Sequence, residues 1–303
     1  MGRRIEVLVP ATTANLGAGF DCLGMALQLY NSFEFELGAH GFSVVGEGAQ
    51  QLRENQGQLV YGAWAAAFAY GEQTPPPVQL HIGSLIPIGR GIGSSATAVV
   101  AGLYAANHLG ELQISDADLL RLAATLEGHP DNVAPALFGG LVVTSAQESK
   151  IDYVILAPRE ELQVILAIPD FELSTTKARS VLPETVPYGD AVFNTSRVAL
   201  FIAAWTTQRW DLLGRAMEDR LHQPYRAPLV PGLDGVMVAA IEAGAVGAAL
   251  SGAGPTVVAL AEGKAQSIGD AMQKAFADHG IGCQIVVTSI ARQGVCLARK
   301  NFA

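Results

Sequence analysis

The chain has 303 residues, of which 50% are hydrophobic and 16% are charged, and its net charge is −9 at pH 7. This apolar content excludes a disordered chain, and the length favours two domains, although one large domain would also fit. The acidic balance argues against nucleic-acid binding, which normally requires clustered Lys and Arg. An anionic ligand would therefore need a local positive site, made of backbone N–H groups or a few arginines.

Neither the N-terminus nor any internal segment resembles a targeting or membrane sequence. The first ten residues, MGRRIEVLVP, are interrupted by Glu6 and end at Pro10, which favours a first β-strand over a signal peptide. No window approaches the roughly 18 consecutive apolar residues that span a bilayer. The three cysteines are odd in number and scattered: Cys22, Cys283 and Cys296. They indicate reduced thiols, and we expect a cytoplasmic protein without disulfides, a zinc site or a membrane partner.

The first half of the chain contains both strand and helix patterns. Strands are predicted where short runs of β-branched and aromatic residues occur: 5–10, 32–37, 78–87 and 139–144. Helices are predicted where Ala-rich or periodic apolar segments occur: 59–71, 96–109 and 115–128. The third helix starts with a capping residue, Ser115, and Asp118 follows three positions later. The TPPP segment at 74–77 separates the first helix from the next strand.

The second half begins near residue 160 and has its own pattern. Strands are predicted at 162–169 and 283–291, and a strand–turn–strand unit at 246–262. A helix is predicted at 265–280, and residues 193–218 form either a pair of helices or one long broken helix. Helices follow runs of strands instead of alternating with them strictly. This order favours the α+β class, with helices packed on mainly antiparallel sheets.

Residues 87–97, PIGRGIGSSAT, join a predicted strand to a predicted helix. Gly89, Gly91 and Gly93 permit positive φ angles and a close approach of a ligand to the backbone. The two serines that follow lie where the helix begins, and free N–H groups and the helix dipole favour an anion there. The segment lacks the lysine of a Walker A loop and the glycine spacing of a dinucleotide fingerprint. Alone, it fits a phosphate-binding loop and a serine-capped glycine connection equally well.

Three other segments place polar residues among glycines and prolines: PATTANLGAGFDCLG at 10–24, EGHPDNVAP at 127–135 and SGAGPT at 251–256. With the glycine loop they resemble the GHMP kinase superfamily, whose members wrap nucleotide phosphates with P-x-G-x-G-x-G-S-S-A and close the site with a late S-G-x-G-P-T loop. Within the superfamily, the first of these segments, GHPDNVAPALFGG at 128–140 and STTKARSVLP at 174–183 are similar to the homoserine kinase family. The resemblance extends from residue 5 to about residue 300.

The resemblance implies a two-domain α+β fold and a phosphoryl transfer. An N-terminal ATP-binding domain of the ribosomal-protein-S5-domain-2-like type would occupy residues 1–156. A C-terminal ferredoxin-like α/β-plait domain would occupy residues 157–303. The implied reaction moves the γ-phosphoryl group of ATP to the side-chain hydroxyl of L-homoserine, giving O-phospho-L-homoserine for threonine biosynthesis. Such a transfer depends on positioning and charge stabilisation more than on covalent steps.

The same resemblance assigns residues to ATP and Mg²⁺. Ser95 and Glu127 would supply oxygen ligands to Mg²⁺, which prefers hard oxygen donors and keeps several waters. Asn55 would contact adenine, because residues 55–63 are similar to the adenine side of the family's site. The phosphates would lie on the glycine loop and the late loop: Pro87, Ile88, Gly89, Arg90, Gly91, Ile92, Gly93, Ser94, Ser95, Ala96, Thr97, Ser251 and Gly252.

Homoserine is a zwitterion, so its site needs an anion receptor and an acceptor for the ammonium group. Arg179 and Arg226 stand where the family places its substrate arginines, and a guanidinium group can donate two parallel hydrogen bonds to a carboxylate. Asp21 would pair with the ammonium group. Neutral hydrogen bonds to the substrate would come from Asn15, Thr175, His129 and Asn132.

The residues that the resemblance implies to be catalytic are Asn132, Arg179 and Asp131. Asp131 could act as a base, as an aspartate does in sugar and mevalonate kinases of the superfamily. Homoserine kinases are usually described as working without a dedicated base. In a loose phosphoryl transfer the proton of the nucleophile leaves late, so a base is not strictly required. We therefore interpret Asp131 as an electrostatic or supporting residue, with the base role left open.

Two other functions remain open from the sequence. One is another small-molecule kinase of the same fold, acting on mevalonate-type or sugar alcohols; Asp21 argues against mevalonate, which has no ammonium group. The other is a non-catalytic nucleotide-binding protein, which the intact Ser95 and Glu127 disfavour. The expected partners are small molecules, and a homodimer would be ordinary for such a fold.

Overall fold

The computed structural model describes residues 3–38, 40–147 and 150–298, without the side chains of residues 54–56. Within these residues the chain forms two β-sheets and ten α-helices. No helix among them is long and apolar enough to cross a bilayer.

The first sheet has seven strands in the described part of the chain. They are β1 (Arg4–Ala14), β2 (Leu23–Leu37), β3 (Gly41–Gly46), β4 (Val78–Ser84), β5 (Leu141–Gln147), β6 (Lys150–Leu156) and β11 (Cys296–Leu297). Their order is β11-β1-β2-β4-β3, with β5 paired to the start of β2 and β6 paired to β5. Only β3 and β4 run parallel among these pairs. The long strand β2 therefore pairs with β5 near its first residues and with β4 near its last residues.

Four helices belong to the first half: α1 (Ala49–Tyr70), α2 (Ser94–Gly110), α3 (Asp116–Glu127) and α4 (Pro130–Phe138). The Ala-rich helix α2 is buried on nearly all sides, as expected of a helix that is apolar all round. Gly102 lets α1 pack closely on it, because a Cβ atom there would lie 2.4 Å from the Val60 carbonyl oxygen. The side chain of Ser115 accepts from the Asp118 amide and caps α3, which confirms the predicted cap.

The second sheet has four antiparallel strands: β7 (Gln163–Pro169), β8 (Gly247–Leu250), β9 (Val257–Ala261) and β10 (Cys283–Ser289). Their order is β10-β7-β9-β8. Helices α9 (Leu233–Glu242) and α10 (Ala265–Ala277) pack on one face and complete a βαββαβ, ferredoxin-like unit. The long connection from β7 to α9 carries α5 (Thr175–Ser180), α6 (Tyr188–Thr207), α7 (Leu213–Ala216) and α8 (Gln223–Arg226).

This architecture confirms the predicted α+β class, while several elements differ from the sequence prediction. Strand β1 continues beyond Pro10, because the PATTA residues pair with the start of β2 after a local shift of register. Elements β3, β6, α4 and α9 were not predicted. Helix α4 was not predicted because it contains two prolines, which usually indicate that a helix ends. Pro130 occupies the first turn, where proline is tolerated, and Pro135 lies within the helix. Residues 193–218 contain the end of one long helix, α6, then a 3₁₀ turn and the short α7.

The two sheets share a hydrophobic core. Leu16, Leu23 and Met25 of the first half pack in one cluster with Phe201 and Trp205 of α6. After β10 the chain returns to the first sheet, where β11 pairs with β1. The predicted boundary between residues 156 and 157 stays a prediction.

Asn31 in β2 holds the start of the glycine loop. Its side-chain oxygen accepts from the amides of Leu85 at 2.8 Å and Ile86 at 3.0 Å, and the side chain is fully buried. Its amide nitrogen donates to the Thr97 hydroxyl of α2 at 3.4 Å. One side chain thus joins the sheet, the start of the loop and the helix.

We expect Asn31→Leu to lower the free energy of unfolding by about 1–3 kcal/mol, because the buried Ile86 amide would lose its acceptor, while the partly exposed Leu85 amide would lose less. Urea unfolding measures this loss. Gln28→Leu, on the exposed face of the same strand, is the matched control and should change stability by less than about 0.5 kcal/mol. An equal effect of the two substitutions would contradict this role of Asn31.

Candidate active site

A cavity of about 330 Å³ lies between the two halves of the molecule. Its wall is formed by the turn after β1, the glycine loop, the α3–α4 junction, α5, the end of α8 and the turn after β8. Most of the predicted site residues line it, from opposite ends of the chain: Asn15, Asp21, Ile88, Gly89, Arg90, Gly91, Gly93, Ser94, Ser95, Glu127, His129, Asp131, Asn132, Thr175, Arg179, Arg226 and Gly252.

Some predicted nucleotide-binding residues do not line the cavity. Pro87, Ile92, Ala96, Thr97 and Ser251 lie behind or beside it, and all except Pro87 are buried. Their side chains support the loops instead: the Ser251 hydroxyl donates to the Gly91 carbonyl at 2.7 Å. The Asn55 side chain lies outside the described residues, so its predicted contact with adenine stays a prediction.

The glycine loop has an alternating backbone. Gly89, Gly91 and Gly93 have φ angles of 63°, 76° and 72°, while Arg90 and Ile92 between them do not have positive φ. Alternation of positive-φ residues with residues of negative φ can turn successive N–H groups towards one concave side, an arrangement that binds anions. The loop leads directly into α2, whose first-turn N–H groups and dipole favour an anion at the same point.

The carbonyl groups of the loop are held by the surrounding protein. The carbonyls of Gly89 and Arg90 accept from the amides of Leu173 at 2.9 Å and Thr256 at 3.3 Å, which both belong to the second half. The Ile92 carbonyl accepts from the Thr12 amide at 3.2 Å. With the Ser251 contact, four consecutive carbonyls are satisfied. The loop is therefore fixed before any ligand binds, and both halves fix it.

Gly91 is required by packing as well as by its φ angle. A Cβ atom at Gly91 would lie 2.4 Å from the Ser251 carbonyl oxygen and 2.7 Å from that of Gly254. The sequence suggested that this glycine allows a ligand to approach the backbone. The structure shows that it also allows the late loop to approach, and the contact with a ligand stays a prediction.

Ser95 and Glu127 meet at one side of the cavity. Ser95 lies in the first turn of α2, Glu127 is the last residue of α3, and the Ser95 hydroxyl donates to Glu127 Oε2 at 2.9 Å. Burial raises the pKa of Glu127, although the hydrogen bond from Ser95 opposes the shift. The described residues contain no cluster of three or more His, Cys, Asp or Glu side chains that could hold a metal by itself. A metal ion at this pair would need further ligands from a substrate or water.

The first turn of α4 forms a second polar group. His129 Nδ1 lies 2.7 Å from Asp131 Oδ1, and Asn132 donates to the same oxygen at 3.3 Å. Thr12 donates to Asn132 Oδ1 at 2.9 Å, so β1 holds this turn in place. Burial alone would lower the pKa of His129, but its hydrogen bond with Asp131 and the nearby carboxylates raise that pKa above the ordinary value.

Asp21 and Arg179 pair with each other. The guanidinium group donates to both carboxylate oxygens, at 3.0 and 2.7 Å. The sequence predicted that the two residues bind opposite ends of a substrate, and their direct pairing was not foreseen. The hydrogen bonds with Asp21 and its negative charge raise the pKa of Arg179, although the partial burial of Arg179 opposes the shift. Both side chains keep about a third of their surface exposed, 36% and 35%, so each can still contact a ligand in the cavity.

Arg226, by contrast, has no carboxylate partner within 4.0 Å in the described part of the chain. Its guanidinium group donates to the carbonyls of Ala178 at 3.1 Å and Gly252 at 3.0 Å, and only 2% of the residue is exposed. Burial and the charge of Arg179 lower the pKa of Arg226 to about 10, so it is protonated at neutral pH. A buried cation held by neutral acceptors and facing a cavity suits an anionic group of a ligand.

Asn15 and Thr175 occupy the two sides of this region. Asn15 has a φ angle of 70°, and its side chain accepts from the Asp21 amide at 3.0 Å and donates to the Gly252 carbonyl at 2.9 Å. It therefore links the turn after β1 to the late loop. Thr175 is the first residue of α5 and is exposed at the cavity.

Several cavity residues were missed by the sequence reading: Phe20, Gln51, Leu52, Glu172, Leu173 and Ser174. Leu59 lies in the predicted adenine segment, and Ala253 and Gly254 lie in the predicted late loop. Gln51 donates to Glu172 at 2.8 Å and joins α1 to the segment after β7. The guanidinium carbons of Arg179 and Arg226 lie 5.5 and 5.2 Å from the centre of the Phe20 ring. Phe20 could have been noticed, because it directly precedes Asp21 in the motif; Glu172 carries no such signal.

Comparison with known proteins identifies the family. Two family models match the chain, "GHMP kinases N terminal domain" over residues 58–140 and "GHMP kinases C terminal" over residues 200–278. With the two-sheet fold and the glycine loop, they place the chain among the GHMP kinases. The crystal structure of L. major mevalonate kinase in complex with R-mevalonate shares the fold, with a TM-score of 0.68 at 19% identity over 94% of this chain and 98% of that one.

More similar proteins show which family of GHMP kinases the chain belongs to. The homoserine kinase of Carboxydothermus hydrogenoformans is 46% identical over 294 residues, which cover 95% of each chain. The crystal structure of homoserine kinase from Cytophaga hutchinsonii superposes with a TM-score of 0.88, 32% identity and 98% coverage of both chains. The protein therefore belongs to the homoserine kinase family, which confirms the resemblance seen in its motifs.

Proposed function

We propose that this protein phosphorylates the side-chain hydroxyl of L-homoserine with ATP and forms O-phospho-L-homoserine, a step of threonine biosynthesis. The observation that carries the proposal is the charge pattern of the cavity. A buried, unneutralised Arg226 and an accessible Asp21 carboxylate lie in the same cavity as the anion-binding loop. These charges match the carboxylate and the ammonium group of an amino acid, and the loop matches a phosphate chain.

ATP would bind along the glycine loop, with its phosphates at the concave backbone between Gly89 and the first turn of α2. The adenine side would face α1, because Gln51 and Leu59 line the cavity there. Asn55 lies on the same helix and remains the proposed base contact. Arg90 is held by its side chain against the Pro169 carbonyl, so it supports the loop at its outer side.

Mg²⁺ fits the pair formed by Ser95 and Glu127. Neighbouring ligands of an octahedral Mg²⁺ at about 2.0–2.1 Å are about 2.9 Å apart. The two oxygens lie 2.9 Å apart, and hydroxyl and carboxylate oxygens are the hard donors that Mg²⁺ prefers. When bound, the ion would neutralise charge on the phosphate oxygens of ATP. Glu127 must be deprotonated to act as a ligand, so its raised pKa makes metal binding sensitive to pH.

The amino-acid end of the site would use charges of both signs. Arg226 would bind the carboxylate, and Asp21 would bind the ammonium group while Arg179 holds it in position. Asn15 and Thr175 would add neutral hydrogen bonds around the substrate backbone, and His129 and Asn132 around its hydroxyl. Arg179 also brings positive charge close to the transferred group, where negative charge must be balanced.

We propose that Asp131 acts by charge and position, not as a base. Its Oδ1 atom already accepts from both His129 and Asn132. In a loose phosphoryl transfer the nucleophile loses its proton late, so the reaction can proceed without a strong base. Asp131 would then hold His129 and Asn132 beside the substrate hydroxyl.

Substrate choice tests the proposal directly. We expect ADP release with Mg²⁺-ATP and L-homoserine, and at least about 100-fold lower kcat/KM with mevalonate or galactose. The analogue 4-hydroxybutyrate lacks only the ammonium group, and we expect it to lose about 30-fold in kcat/KM, the lower end of the cost of an unpaired buried charge, because Arg179 keeps Asp21 paired. Preference for mevalonate or galactose would indicate the alternative kinase, and no turnover at all would indicate a non-catalytic protein.

Glu127→Gln should raise the Mg²⁺ concentration for half-maximal activity by about 10-fold or more, because a charged ligand becomes a neutral one. The KM for homoserine should change by less than about 3-fold. In the unmodified protein the Mg²⁺ requirement should rise as pH falls towards the raised pKa of Glu127, and this dependence should be absent in the variant. Glu172→Gln, at the same cavity, is the control, and an equal effect there would refute the metal assignment.

Asp131→Asn separates charge from base catalysis, since the amide oxygen can still accept from His129. We expect kcat at saturating substrates to fall by less than about 10-fold and the acidic limb of the pH–rate profile to remain. A loss of about 10²–10⁴-fold together with loss of that limb would show that Asp131 is a general base.

A further inference from the structure

His222 lies directly behind Arg226 and outside the cavity. The residue is fully buried, at the turn that precedes α8. Its Nε2 atom lies 2.9 Å from the Gly17 carbonyl oxygen, and its Nδ1 atom lies 3.3 Å from Arg226 Nη1. Its ring stacks on Phe20, with ring centres 5.1 Å apart. None of the roles proposed above uses this imidazole.

These two contacts fix the protonation of the ring. A carbonyl oxygen can only accept, so Nε2 must carry a hydrogen; a guanidinium group can only donate, so Nδ1 must offer a lone pair. The geometry is therefore satisfied by one form alone, the neutral Nε2–H tautomer. A proton on Nδ1 would place two donors against each other at 3.3 Å, and a doubly protonated ring would also place two positive charges there.

We infer that His222 is a positioning residue for substrate recognition: as a neutral acceptor, it orients Arg226 towards the cavity without neutralising its charge. The inference rests on the proposed function, because Arg226 is the proposed carboxylate receptor. The contrast with the neighbouring arginine is direct. Arg179 is held by a carboxylate, whereas Arg226 is held by two carbonyls and an imidazole. A carboxylate in place of His222 would compete with the substrate for the same cation.

The charges around His222 are consistent with the neutral form. Asp219 Oδ2 is 3.5 Å from Nε2 and favours protonation, as does the more distant Asp21. Burial and the positive charge of Arg226 oppose it, and together they lower the pKa of His222 below the ordinary value. Asp219 is also occupied elsewhere, because its Oδ2 atom accepts from the amides of His222 and Gln223 at 3.0 and 2.7 Å.

The same turn is anchored on both sides, so the imidazole has little freedom. Asn194 of α6 donates to Asp219 at 2.7 Å and accepts from the Arg220 amide at 2.9 Å. On the other side Gln223 accepts from the Leu250 amide of β8 at 2.7 Å. The short helix α8 therefore projects Arg226 from a fixed base, and His222 sets the direction of its guanidinium group.

Two substitutions separate the two nitrogen atoms of the ring. The amide oxygen of His222→Asn can occupy the Nδ1 position and still accept from Arg226. The amide of His222→Gln reaches the Nε2 position, so it can donate to Gly17 but leaves Arg226 without this acceptor. We expect the KM for homoserine to rise about 10-fold or more in the Gln variant, with kcat and the KM for ATP changed by less than about 3-fold. In the Asn variant, the KM for homoserine should stay within about 3-fold of the parent protein.

Thermal unfolding of both variants measures how much stability is lost with the buried ring. If the role of His222 is purely structural, the two variants should be affected equally. Equal KM values in the two variants, or parallel losses for ATP and homoserine, would overturn the inference.

The ¹⁵N spectrum of the histidines, with the His222 signal identified by its absence in the Asn variant, gives a readout that needs no substrate. An Nδ1–H or doubly protonated His222 at neutral pH would refute the inference even if the protein is a homoserine kinase. If the unmodified protein instead fails to turn over homoserine, the proposed function fails, while the tautomer measurement still stands.

Discussion

The phosphate end of the site depends on the glycine loop, and this loop is held by its carbonyl oxygens. Gly89, Arg90 and Gly91 accept from residues of the second half, and Ile92 accepts from β1. Since a peptide unit directs its N–H and C=O in opposite directions, fixing the carbonyls inward leaves the amides to form the concave anion site. A loop of this composition would be flexible alone. Neither half could shape it without the other.

A second constraint follows from burying several charges in one cavity. Two arginines lie near the same Phe20 ring. The repulsion between their positive charges would be costly unless each guanidinium group had its own stabilising partners. Arg179 is neutralised by Asp21, while Arg226 keeps its charge and is held by neutral groups. This difference in partners, not a difference in residue type, gives the two arginines different functions.

Much of this could be predicted from the sequence. The strand–loop–helix around residues 87–97 was predicted from local residue patterns. The joint role of Ser95 and Glu127 and most of the cavity residues were implied by the resemblance to the kinase family, whose motifs are contiguous segments of this sequence. The Asp21–Arg179 ion pair could not be predicted, since the partners are 158 positions apart and spacing does not reveal tertiary contacts. Helix α4 was missed because Pro130 and Pro135 mask its pattern. His222 was missed because a single buried histidine gives no periodic or motif signal.

The substrate end of the site is set by close backbone contacts that are remote from the phosphate loop. A Cβ atom at Gly24 would lie 1.7 Å from the Asp131 carbonyl oxygen, so the start of β2 and the first turn of α4 touch directly. Likewise a Cβ atom at Gly17 would lie 1.9 Å from the Met217 carbonyl oxygen, which joins the turn after β1 to the segment that leads to α8. These contacts place Asp21, Asp131 and Arg226 around one point. The glycine loop and α2 take no part in them, so the fold can keep its phosphate site while the residues at the other end determine which alcohol is bound.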